Sequence, residues 1–127
     1  MVTNAKVNIG GRTFCYNVFG GGLGSRPAGT LTGEETYGQV GSTLVNINGG
    51  IVTDNIFGGG AGVEPSSDKE NVDGIARVTG QTKVTIAEGA IVIGKVYGGG
   101  DVANIGSADK KTGTTVDIKG GYIMGQV

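Results

Sequence analysis

The chain reads as all-β, a parallel β-helix (β-solenoid) built from about three and a half repeats of about 38–40 residues. Two observations carry this reading. Gly-Gly-Gly occurs at 20–22, 58–60 and 98–100, each time after a β-branched residue and an aromatic: Val18-Phe19, Ile56-Phe57 and Val96-Tyr97. A Val-x-Ile strand stands about a dozen residues before each run and once more near the end: Val7/Ile9, Val45/Ile47, Val84/Ile86 and Val116/Ile118. One domain, 1–127, divides into repeats at approximately 5–42, 43–81 and 82–113 and a partial repeat at 114–127.

The first strand of each repeat alternates. Ala5, Thr43, Thr82 and Thr114 form one inward column, the four valines a second and the four isoleucines a third. A strand places alternate residues on one face, so these columns face a core. The residues between them, Lys6, Leu44, Lys83, Thr115 and then Asn8, Asn46, Thr85, Asp117, face out. Agreement inside with drift outside is what stacked rungs require. A glycine corner follows, at Gly10-Gly11, Gly49-Gly50, Glu88-Gly89 and Gly120-Gly121, with one extra residue in the third copy at Glu88.

The second strand is expected to point Phe14, Val52, Val92 and Ile123 inward, then Val18, Ile56, Val96 and Val127. Cys15 then shares a variable column with Thr53, Ile93 and Met124, and Tyr16 one with Asp54, Gly94 and Gly125. Asn17, Asn55, Lys95 and Gln126 form an outward polar column. Phe19, Phe57 and Tyr97 close the strand and are expected to stack as a ladder, with a sugar-binding surface as the alternative. Segments 23–39, 61–77 and 101–112 vary in length and read as insertions on one flank, tolerant of shortening, with Val40 and Val78 marking a short third strand. Pro27 and Pro65 fall in them, where no ladder hydrogen bond is lost.

Composition removes several chemistries. There is no histidine, so a Ser-His-Asp or Cys-His arrangement cannot be built from this chain and the commonest zinc ligand is missing. Cys15 is the one cysteine and reads as a small packed residue. A net charge of −1 offers no basic stripe, so no nucleic-acid partner is expected, and no apolar stretch is long enough for membrane insertion. The 28 glycines recur at fixed places without a Gly-X-Y period, which excludes collagen. Val2 follows Met1 and the repeat starts at once, with no signal peptide, so the chain reads as a segment of a longer parent.

The acidic candidates are Glu34, Glu35, Glu64, Asp68, Glu70 and Asp73, all in the variable segments. As paired carboxylates they would cleave polysaccharide; as isolated loop acids they are solvated. Gly-Gly-Gly-Asp-Val at 98–102 is similar to calcium-binding β-roll turns, but Asp101 is matched by Leu23 and Ala61 in the other copies and the period is too long. The reading is therefore no enzyme, no cofactor and no metal. Phe19, Phe57, Tyr97, Glu64, Asp68 and Asp101 remain as the residues a ligand would meet.

The pattern Val-x-Ile-x-Gly-Gly, Val-Tyr-Gly-Gly-Gly and Gly-x-Thr-x-Val-x-Ile resembles the glycine-rich β-helical repeats of bacterial surface proteins of the adhesin and autotransporter-passenger type. The resemblance implies an extracellular or cell-surface location and a structural or adhesive role: a rigid rod presenting variable loops to a host or cell-surface glycan or protein. Two alternatives stand beside it. One is a carbohydrate-binding or polysaccharide-cleaving β-helix. The other is a self-assembling filament unit joined head to tail, since the first and last rungs carry matching patterns and no cap.

Overall fold

The computed structural model describes residues 2–24, 31–32, 36–65, 70–101, 103–106 and 113–127. Pro27, Glu34, Glu35, Asp68 and Val102 lie outside the described residues. The first coil contributes β1 (Val2–Ile9), β2 (Phe14–Cys15) and β3 (Val18–Phe19); the second β4 (Val40–Ile47), β5 (Ile51–Val52) and β6 (Ile56–Phe57). The third contributes β7 (Thr82–Ile86), β8 (Ile91–Val92) and β9 (Val96–Tyr97), and the fourth β10 (Thr114–Ile118) and β11 (Tyr122–Ile123).

Among the described residues these strands form three parallel sheets: a long sheet β1-β4-β7-β10, a second sheet β2-β5-β8-β11 and a third sheet β3-β6-β9. Each of the first three coils gives one strand to each sheet and the fourth gives one to two of them, which is a solenoid-like stack of single coils. The long-sheet register is the one the sequence pattern implies: Ala5, Thr43, Thr82 and Thr114 lie side by side, as do the four valines and the four isoleucines. Isolated bridges extend the stack to Val40–Val78 and Val78–Ile105, the expected third strand; in the second coil it runs straight into β4.

The core is the stack itself. Val45, Ile47, Val52, Ile56, Val84, Ile86 and Val92 are fully buried in one cluster. Each such side chain contributes about 1.5–3 kcal/mol over its exposed state. Thr43 and Thr82 are buried in the same wall, and their hydroxyls donate to the carbonyls of Gly58 (2.5 Å) and Gly98 (2.6 Å) in the same coil. A polar residue survives inside because its one donor is satisfied by the first glycine of the triplet. At the far corner the Asn17 carboxamide oxygen accepts from the Asn55 backbone N–H (3.0 Å), and Asn55 repeats this toward Lys95 (2.8 Å). The outward polar column is thus a hydrogen-bonded ladder that Lys95 interrupts.

The glycines serve two different ends. Gly11, Gly50, Gly89 and Gly121 turn the corner after the long sheet, all with φ between 63° and 94°. The triplet glycines have no such conformation. All but Gly99 sit in close contact, chiefly where successive coils press together: a Cβ on Gly21 would lie 2.7 Å from the Gly60 nitrogen, and one on Gly60 2.6 Å from the Gly22 oxygen. The backbone ladder runs through them unbroken, Gly21 N–H to Gly59 C=O and Gly59 N–H to Gly99 C=O, both at 3.0 Å.

Two expectations need correction. In the second sheet Phe14 pairs with Ile51 and Cys15 with Val52, and the series continues to Val92 and Ile123. The inward column is therefore Cys15, Val52, Val92 and Ile123. Phe14 points outward and is largely exposed, and Tyr16 aligns with Thr53 instead of Asp54. The cause is a pair of compensating length changes in the first coil. Four residues (10–13) separate β1 from β2 where three (48–50) separate β4 from β5, and two (16–17) precede β3 where three (53–55) precede β6.

The flank is also more than a set of insertions. Leu31, Ile75 and Ala76 are buried in a second cluster, with Val63, Val72 and Ala103 packed on it. Backbone bonds tie it together, Asn71 N–H to Leu31 C=O at 2.9 Å and Ala76 N–H to Tyr37 C=O at 2.7 Å. Ala76 holds φ 56° there, the position that Gly38 (φ 73°) occupies one coil earlier. Ile75→Ala is expected to lower stability by about 2–4 kcal/mol through the cavity it leaves, read as a shift in the denaturant midpoint. An unchanged midpoint would mean that the flank contributes nothing to the fold.

Candidate functional site

The three sheets present different chemistry to solvent. The long sheet shows Lys6, Leu44, Lys83 and Thr115 beside Asn8, Asn46, Thr85 and Asp117. Asn46 donates its amide to the Asn8 side-chain oxygen at 3.0 Å, which holds this polar face in register. The third sheet ends in the aromatic ladder. Phe19 and Phe57 stack with centroids 4.9 Å apart and planes 4° apart, and Phe57 and Tyr97 at 4.9 Å and 5°. The spacing is that of neighbouring strands, so the ladder follows from coil stacking. Phe57 has a ring on each face and is buried. A sugar would find only ring edges there, with an open ring face at most on Phe19 and Tyr97.

The outward face of the second sheet is the one the sequence pattern did not reveal. Its outward positions are Phe14, Ile51, Ile91 and Tyr122 in one column and Tyr16, Thr53, Ile93 and Met124 in the next. Seven of these eight side chains are apolar or aromatic. Ile51-Val52 and Ile91-Val92-Ile93 carried the signal: consecutive β-branched residues without alternation mean a strand apolar on both faces. Phe14 and Tyr16 meet edge to face, centroids 6.2 Å apart. Shallow grooves follow the corner edge of this face, one lined by Arg12, Phe14, Ile51 and Ile91, another by Glu88, Ile91, Lys119 and Tyr122.

Among the described residues the acidic candidates do not converge. Asp101 bridges to Ala61, which bridges to Leu23, so it is the one carboxylate in its column, and its side chain is exposed. Glu64 is exposed on the flank, and Asp68 is outside the described residues. Among the described residues no three His, Cys, Asp or Glu side chains come together as a metal would need. Cys15 is half-buried against the main core, its thiol donating to the Ile51 carbonyl at 3.9 Å. Burial pushes the Cys15 thiol above its ordinary value, which disfavours the reactive thiolate.

No family model, no curated protein and no solved structure matches this chain.

Proposed function

We propose that this chain is a structural or adhesive repeat segment of a bacterial cell-surface or secreted protein, a rigid rod that presents its variable flank to a glycan or protein partner. The observation that supports it is the unbroken coil-to-coil register. The long and second sheets keep their pairing through all four coils described and the third through three, while the return segments at 61–65, 70–77 and 103–106 differ from coil to coil. A constant wall with a changing flank positions recognition residues on a stiff support. Within the long sheet, β1 and β10 carry the same Val and Ile columns, which also supports head-to-tail association of coils by strand pairing.

The test is an array of extracellular glycans and matrix proteins probed with the chain and with a variant in which the exposed flank residues Glu64, Asp73 and Asp101 are replaced by alanine. Reproducible binding lost on that exchange is the expected result. Binding that survives it but disappears in Tyr97→Ala would replace this reading with a sugar-stacking one.

A further inference from the structure

We propose that the outward face of the second sheet is a self-association surface on which a second copy of this chain seats face to face. The long sheet shows what a solvated outer wall looks like in this fold: lysine, asparagine, threonine and aspartate, with Leu44 as its one apolar side chain among the two outward columns. The second sheet departs from it in every coil. Phe14, Tyr16, Tyr122 and Met124 are 62–69% exposed, and Ile91 and Ile93 are 38% and 44% exposed. They do not scatter. Parallel pairing puts them in two adjacent columns along the stack, with Ile51 between Phe14 and Ile91.

Area argues for a partner, and for a second copy as that partner. At these fractions the three aromatics and Met124 expose on the order of 100–150 Å² each and the two isoleucines roughly 70 Å² each, so the face carries on the order of 600 Å² of largely apolar surface. That is at the upper limit of what a monomer leaves bare. Two such faces together remove on the order of 1,200 Å², the lower bound of specific interfaces. Sheets stack face to face about 10 Å apart, with side chains interdigitating. The contact is isologous, the same patch on both copies, so it closes as a pair and does not propagate. The rim carries both signs, Arg12 and Lys119 with Asp54 and Glu88, and a chain with a net charge of −1 does not repel its copy. This surface is distinct from the strand edges of β1 and β10 and does not depend on any ligand of the flank.

Sedimentation equilibrium of the 127-residue chain over a wide concentration range tests it. A reversible dimer is expected. Ile93→Glu and Tyr16→Glu, at exposed positions that leave the core intact, are expected to weaken it at least about thirtyfold with unchanged far-UV circular dichroism. Thr115→Glu, the same charge on the polar outer face of the long sheet, is expected to leave it as it was. A monomer at every concentration overturns the proposal. So does a series of larger species that persists in both variants, which would mark association through the strand edges. Glycan binding that depends on Tyr16 and Tyr122 in a strictly monomeric chain would overturn it as well.

Discussion

Val45→Asp and Ile86→Asp are each expected to abolish folding. Both side chains are completely buried, with a coil above and a coil below contributing the same residue. A carboxylate there has no cation within the stack and no water, and even neutralised it leaves unpaired oxygens in an apolar column. The unpaired polar group costs about 2–7 kcal/mol and the lost apolar burial about 1.5–3 kcal/mol more, which is comparable with the whole 5–15 kcal/mol, roughly, that separates a folded domain from its unfolded chain. Asn46→Asp, one residue away on the outer face, is expected to shift stability by about 0.5 kcal/mol or less. It exchanges one side-chain contact with Asn8 for another. Far-UV circular dichroism and thermal melting check the pair. Equal damage from the two classes would mean that the inward and outward faces are wrongly assigned.

Gly59→Ala is the second large effect, and its cause is contact, not conformation. The added methyl would sit 2.8 Å from the Gly100 nitrogen and 2.8 Å from Ile105 Cδ1. The isoleucine can move; the backbone of the next coil cannot without opening the ladder that Gly59 N–H makes with Gly99 C=O. A loss of about 2–3 kcal/mol is expected, in the range of overpacked cores. Gly99 occupies the matching position of the next coil, yet a Cβ there meets nothing within 4 Å. Gly99→Ala in the 127-residue chain is expected to be near neutral. Denaturant melts of the two variants read the difference directly. Similar midpoints would show that the triplets are held less tightly than the coil spacing implies.

How far the fold was legible depends on where lengths stay constant. The Val and Ile columns of the long sheet stand 38 residues apart in the first two coils, Ile9 to Ile47, and their chemistry repeats, so parity alone placed them. The aromatic ladder was legible for the same reason. The second sheet was legible in its last three coils, where Val52, Val92 and Ile123 align as expected, but not in the first, which gains a residue between Ile9 and Phe14 and loses one before Val18. Counting back from the glycine triplet slides Phe14 onto Val52 and hides Cys15, whose small apolar side chain suits the inward position. The error also concealed the apolar outer face, since Phe14 was expected inside. The flank core escaped notice for a different reason. Leu31, Ile75 and Ala76 are single apolar residues among Gly, Thr and Asp with no period, and only the coil stacking brings them together.

One consequence of the register concerns how such a chain folds in time. Every strand pairs with a partner a full coil away, so the first inter-coil contact must close a loop of about 30–40 residues, as from Val7 to Val45 or from Val84 to Val116, before any ladder rewards it. That step carries the main entropic cost, on the order of (3/2)RT ln n for n residues. Once two coils are stacked, the next one docks on a finished template and its side chains find their columns already formed. Folding is then a nucleation followed by zipping. The barrier belongs to the first pair of coils, and lengthening the array would raise its resistance to unfolding far more than it would slow its formation.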